Sequence, residues 1–172
     1  MTQQNNEYTE VEPEVEYKFC VSGKTKPEFK FAQAISEWLQ ENLSTITDDE
    51  NNPLFSKVNT GFNESILKTF GKKPTCDVYI NNIEYDPTFD YCKPTKANSI
   101  IIYYFKGANN HSYSKACEIH DYLLQEFTTN YSFRELPRIV NDTIITSSRV
   151  MTQPIQKKWG VMGTFELSHN LY

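Results

Sequence analysis

The chain has 172 residues, 38% of them hydrophobic, and a net charge of −5. That is enough for one domain with a single good core, and eleven Tyr with eleven Phe argue against global disorder. No apolar run approaches the roughly 20 residues a membrane span needs, and a polar, acidic N-terminus is no signal peptide, so the expected setting is the reducing cytoplasm, with no membrane partner.

The charge has a local origin. Glu7, Glu10, Glu12, Glu14 and Glu16 precede the first basic residue, Lys18, and the remaining 17 acidic residues balance 17 Lys and Arg. A neutral body with an acidic tail lacks the basic surface that phosphate neutralisation requires, which argues against nucleic-acid binding. Residues 1–16 read as a flexible acidic arm, and residues 17–172 as one α+β domain.

Taken in order, Tyr17 to Val21 has the texture of a short strand before a Ser22-Gly23 turn. Pro27 suits the first turn of a helix. Phe31, Ile35, Trp38, Leu39 and Leu43 then recur at helical spacing, predicting an amphipathic helix from Pro27 to Leu43. Thr47 to Pro53 is a loop by composition. Phe55 to Val58 reads as a short strand. Asn63 is a candidate N-cap for a short helix through Ile66, Leu67 and Phe70 that stops at Gly71. Cys76 to Ile83 reads as a strand with Val78 and Ile80 on one face. A long connection from Glu84 to Asn98 follows, bearing Tyr85, Phe89 and Tyr91, aromatics that suit either a contact surface or packing back on the domain.

The centre of the pattern is Asn98 to Phe127. Ser99 to Phe105 is a β-branched and aromatic run, read as a strand buried on both faces. Ala116, Ile119, Leu123 and Phe127 form a helical stripe after it. Arg138 to Val150 is a strand or bent strand pair, with Asn141-Asp142 marking a bulge or turn. Met151 to Lys158 is predicted as a loop, and a closing strand carries Val161, Gly163, Phe165 and Leu167 on one face. The sum is a mainly antiparallel sheet of four or five strands with two principal helices.

Chemical motifs are weak. Ser22-Gly23-Lys24-Thr25 resembles the end of a phosphate-binding loop, yet Lys18 stands where that loop needs its first glycine, so a surface turn is the better reading. Cys117 and His120 share a helical face, and Cys76 and Cys92 would complete four ligands. These pairs lack the short spacing of structural zinc, and a buried thiol with a hydrogen-bonded histidine accounts for them. Asp48/Asp49 and Glu84/Asp86 fall in predicted loops and read as solvated. His111 reads as a turn histidine with no nucleophile elbow around it. No catalytic residue, metal or cofactor is expected. Lys157 and Lys158, with Arg149 and Arg138 nearby in sequence, form a candidate basic edge, suited to solubility, edge protection or an acidic neighbour segment.

The order of elements, with SIIIYYFKG, KACEIHDYLLQEF, RIVNDTIITSSRVM and the closing GVMGTFELS, resembles the tail terminator (tail completion) proteins of long-tailed bacteriophages. The likeness spans Pro27 to Asn170 and is one of layout and texture. The acidic arm and the long Glu84 to Asn98 segment depart from it. The resemblance implies a subunit that forms a ring, commonly a hexamer, assembled in the host cytoplasm as part of the virion. Its partners would be copies of itself, the tail tube protein and the head-closure or connector protein, with DNA passing the lumen without specific binding. Contact residues would then be Glu7, Glu10, Glu12, Glu14, Glu16, Tyr85, Phe89, Tyr91, Arg149, Lys157 and Lys158. Other neck or head-closure components, a small hydrolase using Cys117 or His111, and a monomeric binding domain are the alternatives.

Overall fold

A computed structural model describes residues 27–61, 71–86, 93–107, 110–155 and 158–172. The expected Tyr17 to Val21 strand, the Ser22-Gly23 turn and the Asn63-capped helix lie outside these residues. The remainder forms α1 (Pro27–Ser44), β1 (Lys57–Thr60), β2 (Thr75–Asp86), β3 (Lys93–Lys106), α2 (Asn110–Thr129), a 3₁₀ turn (Tyr131–Phe133), β4 (Val140–Ile155) and β5 (Lys158–Leu171).

The strands make one five-stranded sheet in the order β1-β2-β3-β5-β4. β1 and β2 are parallel; every other neighbouring pair is antiparallel. The α+β class and the two principal helices are as the sequence reads. The closing strand β5 is inserted between β3 and β4, so β4 becomes an edge.

Both helices cover the same face. Ile35, Trp38, Leu39 and Leu43 of α1, and Ala116, Ile119, Leu123 and Phe127 of α2, are buried on it, the positions that helical spacing selects. Under them lie Cys76 and Val78 of β2, Ala97, Ile101, Tyr103 and Phe105 of β3, and Val161, Phe165 and Leu167 of β5. The turn after α2 joins the helices. Asn130 caps it by accepting from the Ser132 N–H at 3.0 Å. Ser132 then turns its carbonyl to the Trp38 indole N–H at 2.8 Å, while Phe133 meets Phe127 edge-on at 5.1 Å.

Three expectations are corrected. The Glu84 to Asn98 segment is mostly paired strand: β2 runs on to Asp86 and β3 starts at Lys93. Glu84, Asp86, Lys93, Thr95, Lys96 and Asn98 make this stretch mostly polar, so the apolar alternation that marks a half-buried strand is absent. Its register is held by the backbone ladder and by Asn98 Nδ2, which donates to Asn82 Oδ1 (2.7 Å) and Glu84 Oε1 (2.8 Å). The Met151 to Lys158 loop is also strand, because β4 continues to Ile155 and β5 begins at Lys158. Pro154 is tolerated there because β4 is an edge and that position can lack a donor. Finally, β3 is not sealed evenly on both faces. Ser99, Ile101, Tyr103 and Phe105 are buried under the helices, whereas Ile100 and Ile102 on the opposite face are half-buried. Tyr104, Asp77 and Thr164 are nonetheless buried on that opposite face.

β4 begins at Val140, after Arg138 in a left-handed turn conformation (φ 70°). It is one bent strand, with register shifts between Val140 and Asp142 and between Ile145 and Ser147; the first sits at the expected Asn141-Asp142 irregularity.

Gly163 has a specific packing reason. It pairs with Tyr103, whose ring lies across it, so a Cβ at position 163 would fall within that ring. The Tyr103 hydroxyl reaches over to donate to the Ala116 carbonyl of α2 at 2.8 Å. Gly163→Ala is expected to dislodge the ring and destabilise the fold by about 1–3 kcal/mol, the range for overpacking a filled core, read as a lowered urea midpoint with unchanged slope.

Candidate functional site

The most conspicuous polar centre is His169, fully buried where β5, β3, β4 and α1 converge. It occupies the position after Val161, Gly163, Phe165 and Leu167 on the helix-covered face, so the period of two that builds the core delivers an imidazole into it. Ser99 Oγ lies 2.7 Å from Nε2 and Thr143 Oγ1 lies 2.9 Å from Nδ1. Thr143 spends its hydroxyl hydrogen on the Arg134 carbonyl at 3.2 Å. Its oxygen therefore accepts from Nδ1–H, and Ser99 donates to Nε2, which assigns a neutral ring with its proton on Nδ1. Trp38 packs edge-on against the ring at 5.7 Å. Burial lowers the His169 pKa from 6.5 to about 4.

This is a Ser–His–Thr cluster, but its geometry is that of a satisfied core network. All three residues are at most 7% exposed. The cluster's contribution is structural: it ties three strands to α1.

His120 and Cys117 are the other sequence candidates. His120 is buried, stacked on Phe165 at 4.1 Å, with Nδ1 3.4 Å from the Tyr103 hydroxyl. Burial lowers its pKa. Cys117 is half-buried and free, and Cys76 is fully buried with its thiol pushed well up by desolvation, so it is poorly suited to act as a nucleophile. Among the described residues no group of three or more His, Cys, Asp or Glu side chains is placed to hold a metal. Cys92, the fourth ligand considered, lies outside them. His111 sits exposed at the start of α2.

On the face without helices, Asp77 is 3% exposed and accepts from Asn59 Nδ2 at 2.7 Å, with Tyr104 as a second hydrogen-bond partner. Desolvation raises its pKa; those two bonds and Lys57 oppose the shift. Burial likewise raises the Tyr104 phenol. These groups neutralise one another's demands and leave no poised acid or base.

The expected contact residues fare unevenly. Arg149 is exposed on β4 and Tyr85 is half-buried on β2, near the tip of the long hairpin. They lie on strands separated by β3 and β5, so they do not form one patch. Lys158 opens β5; nothing is assigned to its side chain. Glu7, Glu10, Glu12, Glu14, Glu16, Phe89, Tyr91 and Lys157 lie outside the described residues.

What sequence reading missed is β4 as the outermost strand among the described residues. It carries exposed Ile144, Thr146, Ser147, Ser148, Arg149 and Thr152, and Tyr131 and Tyr172 are exposed on segments beside its start. Pro154 was the available signal, since a proline inside a strand marks an edge. No protein-family model and no curated protein matches the chain. No helix among the described residues is long and apolar enough to cross a membrane.

The His169 pKa makes stability depend on pH. The folded state disfavours the imidazolium, so its stabilising contribution is complete above about pH 6.5 and is lost as pH falls toward about 4. The loss should approach about 3 kcal/mol at 1.36 kcal/mol per pKa unit. Urea titrations at pH 7.5 and 4.5 on wild type and His169→Gln isolate it: the wild type should lose more stability than the variant, since other groups titrate in both.

Proposed function

We propose that the protein is a structural virion subunit, a tail terminator that joins copies of itself into a ring, a hexamer, capping the tail tube and joining it to the head connector. The observation that carries the reading is the edge of β4, whose outer side from Ile144 to Ile155 pairs with no described residue, a row of backbone donors and acceptors suited to pairing with another chain. The polar centres add support, because His169, His120 and Asp77 each have partners that explain them as parts of the core. The charge balance fits as well: a body of equal basic and acidic count lets DNA pass through a lumen without strong attachment.

A ring requires a heterologous contact, in which one surface of each copy meets a different surface of the next and the rotation closes. An edge strand meeting a second segment is such a contact.

Light scattering with negative-stain imaging tests this. Purified protein is expected to give closed rings of one stoichiometry, or to form them on the ends of tail tubes. A mass that stays monomeric at high concentration and in the presence of tubes rejects the reading. Rings that bind a head connector but leave tube ends bare place the protein elsewhere in the neck.

A further inference from the structure

The sheet carries a bulge on each side of its β3–β5 pair, and the two fall at one level. β3 and β5 pair Ser99 with Leu167. On β2 the register shifts between Ile80, opposite Ser99, and Asn82, opposite Asn98, so Asn81 is the extra residue. On β4 it shifts between Ile145, opposite Leu167, and Ser147, opposite Glu166, so Thr146 is the extra residue. A bulge bends its strand and re-aims a side chain, and bulges gather beside functional sites. Here the extra residues of two strands separated by β3 and β5 line one hollow of about 320 Å³. It lies over Ile100, on the face without helices, and Asn82, Asn98 and Glu166 also line it.

The hydrogen bonds already made fix what the hollow can still offer. Asn98 Nδ2 donates to the Glu84 carboxylate at 2.8 Å and to Asn82 Oδ1 at 2.7 Å. The carboxylate turns the amide nitrogen toward itself, so both Asn98 N–H groups are spent and its Oδ1 is left to accept. Asn82 uses its oxygen there and keeps its Nδ2 donors. The Thr146 hydroxyl gives its hydrogen to the Glu166 carbonyl at 3.1 Å, which leaves its oxygen as an acceptor. No described residue bonds to the Asn81 amide or to the Glu166 carboxylate, and both residues are exposed.

Donors and acceptors therefore stand side by side around an apolar floor. A bound cation would satisfy the acceptors and leave the amide N–H groups unmet. An anion would meet the Glu166 charge. A hydroxyl both donates and accepts, so a neutral ring with adjacent hydroxyls matches both sets, with its C–H face on Ile100. The volume is at the small end for ligand sites, which suits a single ring.

We propose that this hollow binds a sugar ring, held by Asn81, Asn82 and Asn98 from one side and by Thr146 and Glu166 from the other. The inference goes beyond the assembly reading and is independent of it, because one chain supplies every residue named.

Saturation-transfer NMR on the full-length protein tests the site, since it reads the sugar and serves for a single copy or a ring. The probes are D-glucose, D-galactose, D-mannose and N-acetyl-D-glucosamine, with glycerol as the control polyol. Transfer to the ring protons of at least one sugar is expected, with a millimolar dissociation constant. Asn81→Ala and Glu166→Ala should each raise that constant by about 2- to 10-fold, the loss of one net hydrogen bond, with the urea midpoint of each variant reporting that it folds. Methyl glycosides that bind as well as the free sugars point to the end of a glycan chain, and glycosides that fail point to a free sugar; both uphold the site. The proposal is overturned if no sugar shows transfer at tens of millimolar, if glycerol matches the sugars, or if binding survives either substitution unchanged. Transfer to methylguanidinium but to no sugar makes the hollow a cation site and overturns it as well.

Discussion

The insertion of β5 between β3 and β4 is the constraint on which the rest depends. The last fourteen residues of strand occupy a central place in the sheet. Two positions along β5, Gly163 and His169, hold it there. Gly163 leaves room for the Tyr103 ring, which in turn reaches α2. His169 bonds Ser99 of β3 and Thr143 of β4 and lies against Trp38 of α1. A slip of one residue would send Val161, Phe165, Leu167 and His169 to the uncovered face together. Register is therefore set by the whole apolar row and sharpened by two positions, where a larger residue at 163 would meet the Tyr103 ring and a residue at 169 without the two ring nitrogens would lose Ser99 or Thr143.

The same insertion explains why β4 is outermost among the described strands. A hairpin from β4 to β5 that pairs β5 with β3 leaves β4 outermost. Its outer backbone groups then need solvent or a partner. The opposite edge, β1, is short and tied to α1. Among the described residues the sheet thus leaves one long edge unpaired. Polar groups in the interior are spent on one another: the His169 ring finds both its partners, and Asp77 finds Asn59 and Tyr104.

Legibility followed burial. Where one side of an element faces the core, its period survives in the sequence, as in α1, α2 and the Val161 to Leu167 row. Where an element extends past the core, the signal fades. The β2–β3 hairpin beyond Ile83 and the β4–β5 hairpin beyond Met151 are paired by backbone groups, which any residue supplies, so their Asn, Lys, Thr and Pro content reads as loop. His169 was legible in principle, being next in the buried row, but a histidine in an alternating strand is ordinarily taken for a surface residue.

The sequence by itself determined the α+β class, the two helices with their buried faces, and the apolar rows of the central strands, because hydrophobic spacing is a local consequence of which side of an element meets water. Only the tertiary structure decided that β5 lies inside β4, that β4 is outermost among the described strands, and that His169 is neutral and enclosed. Each of these depends on which distant segments pair, and strand pairing is made by backbone groups that are the same at nearly every residue.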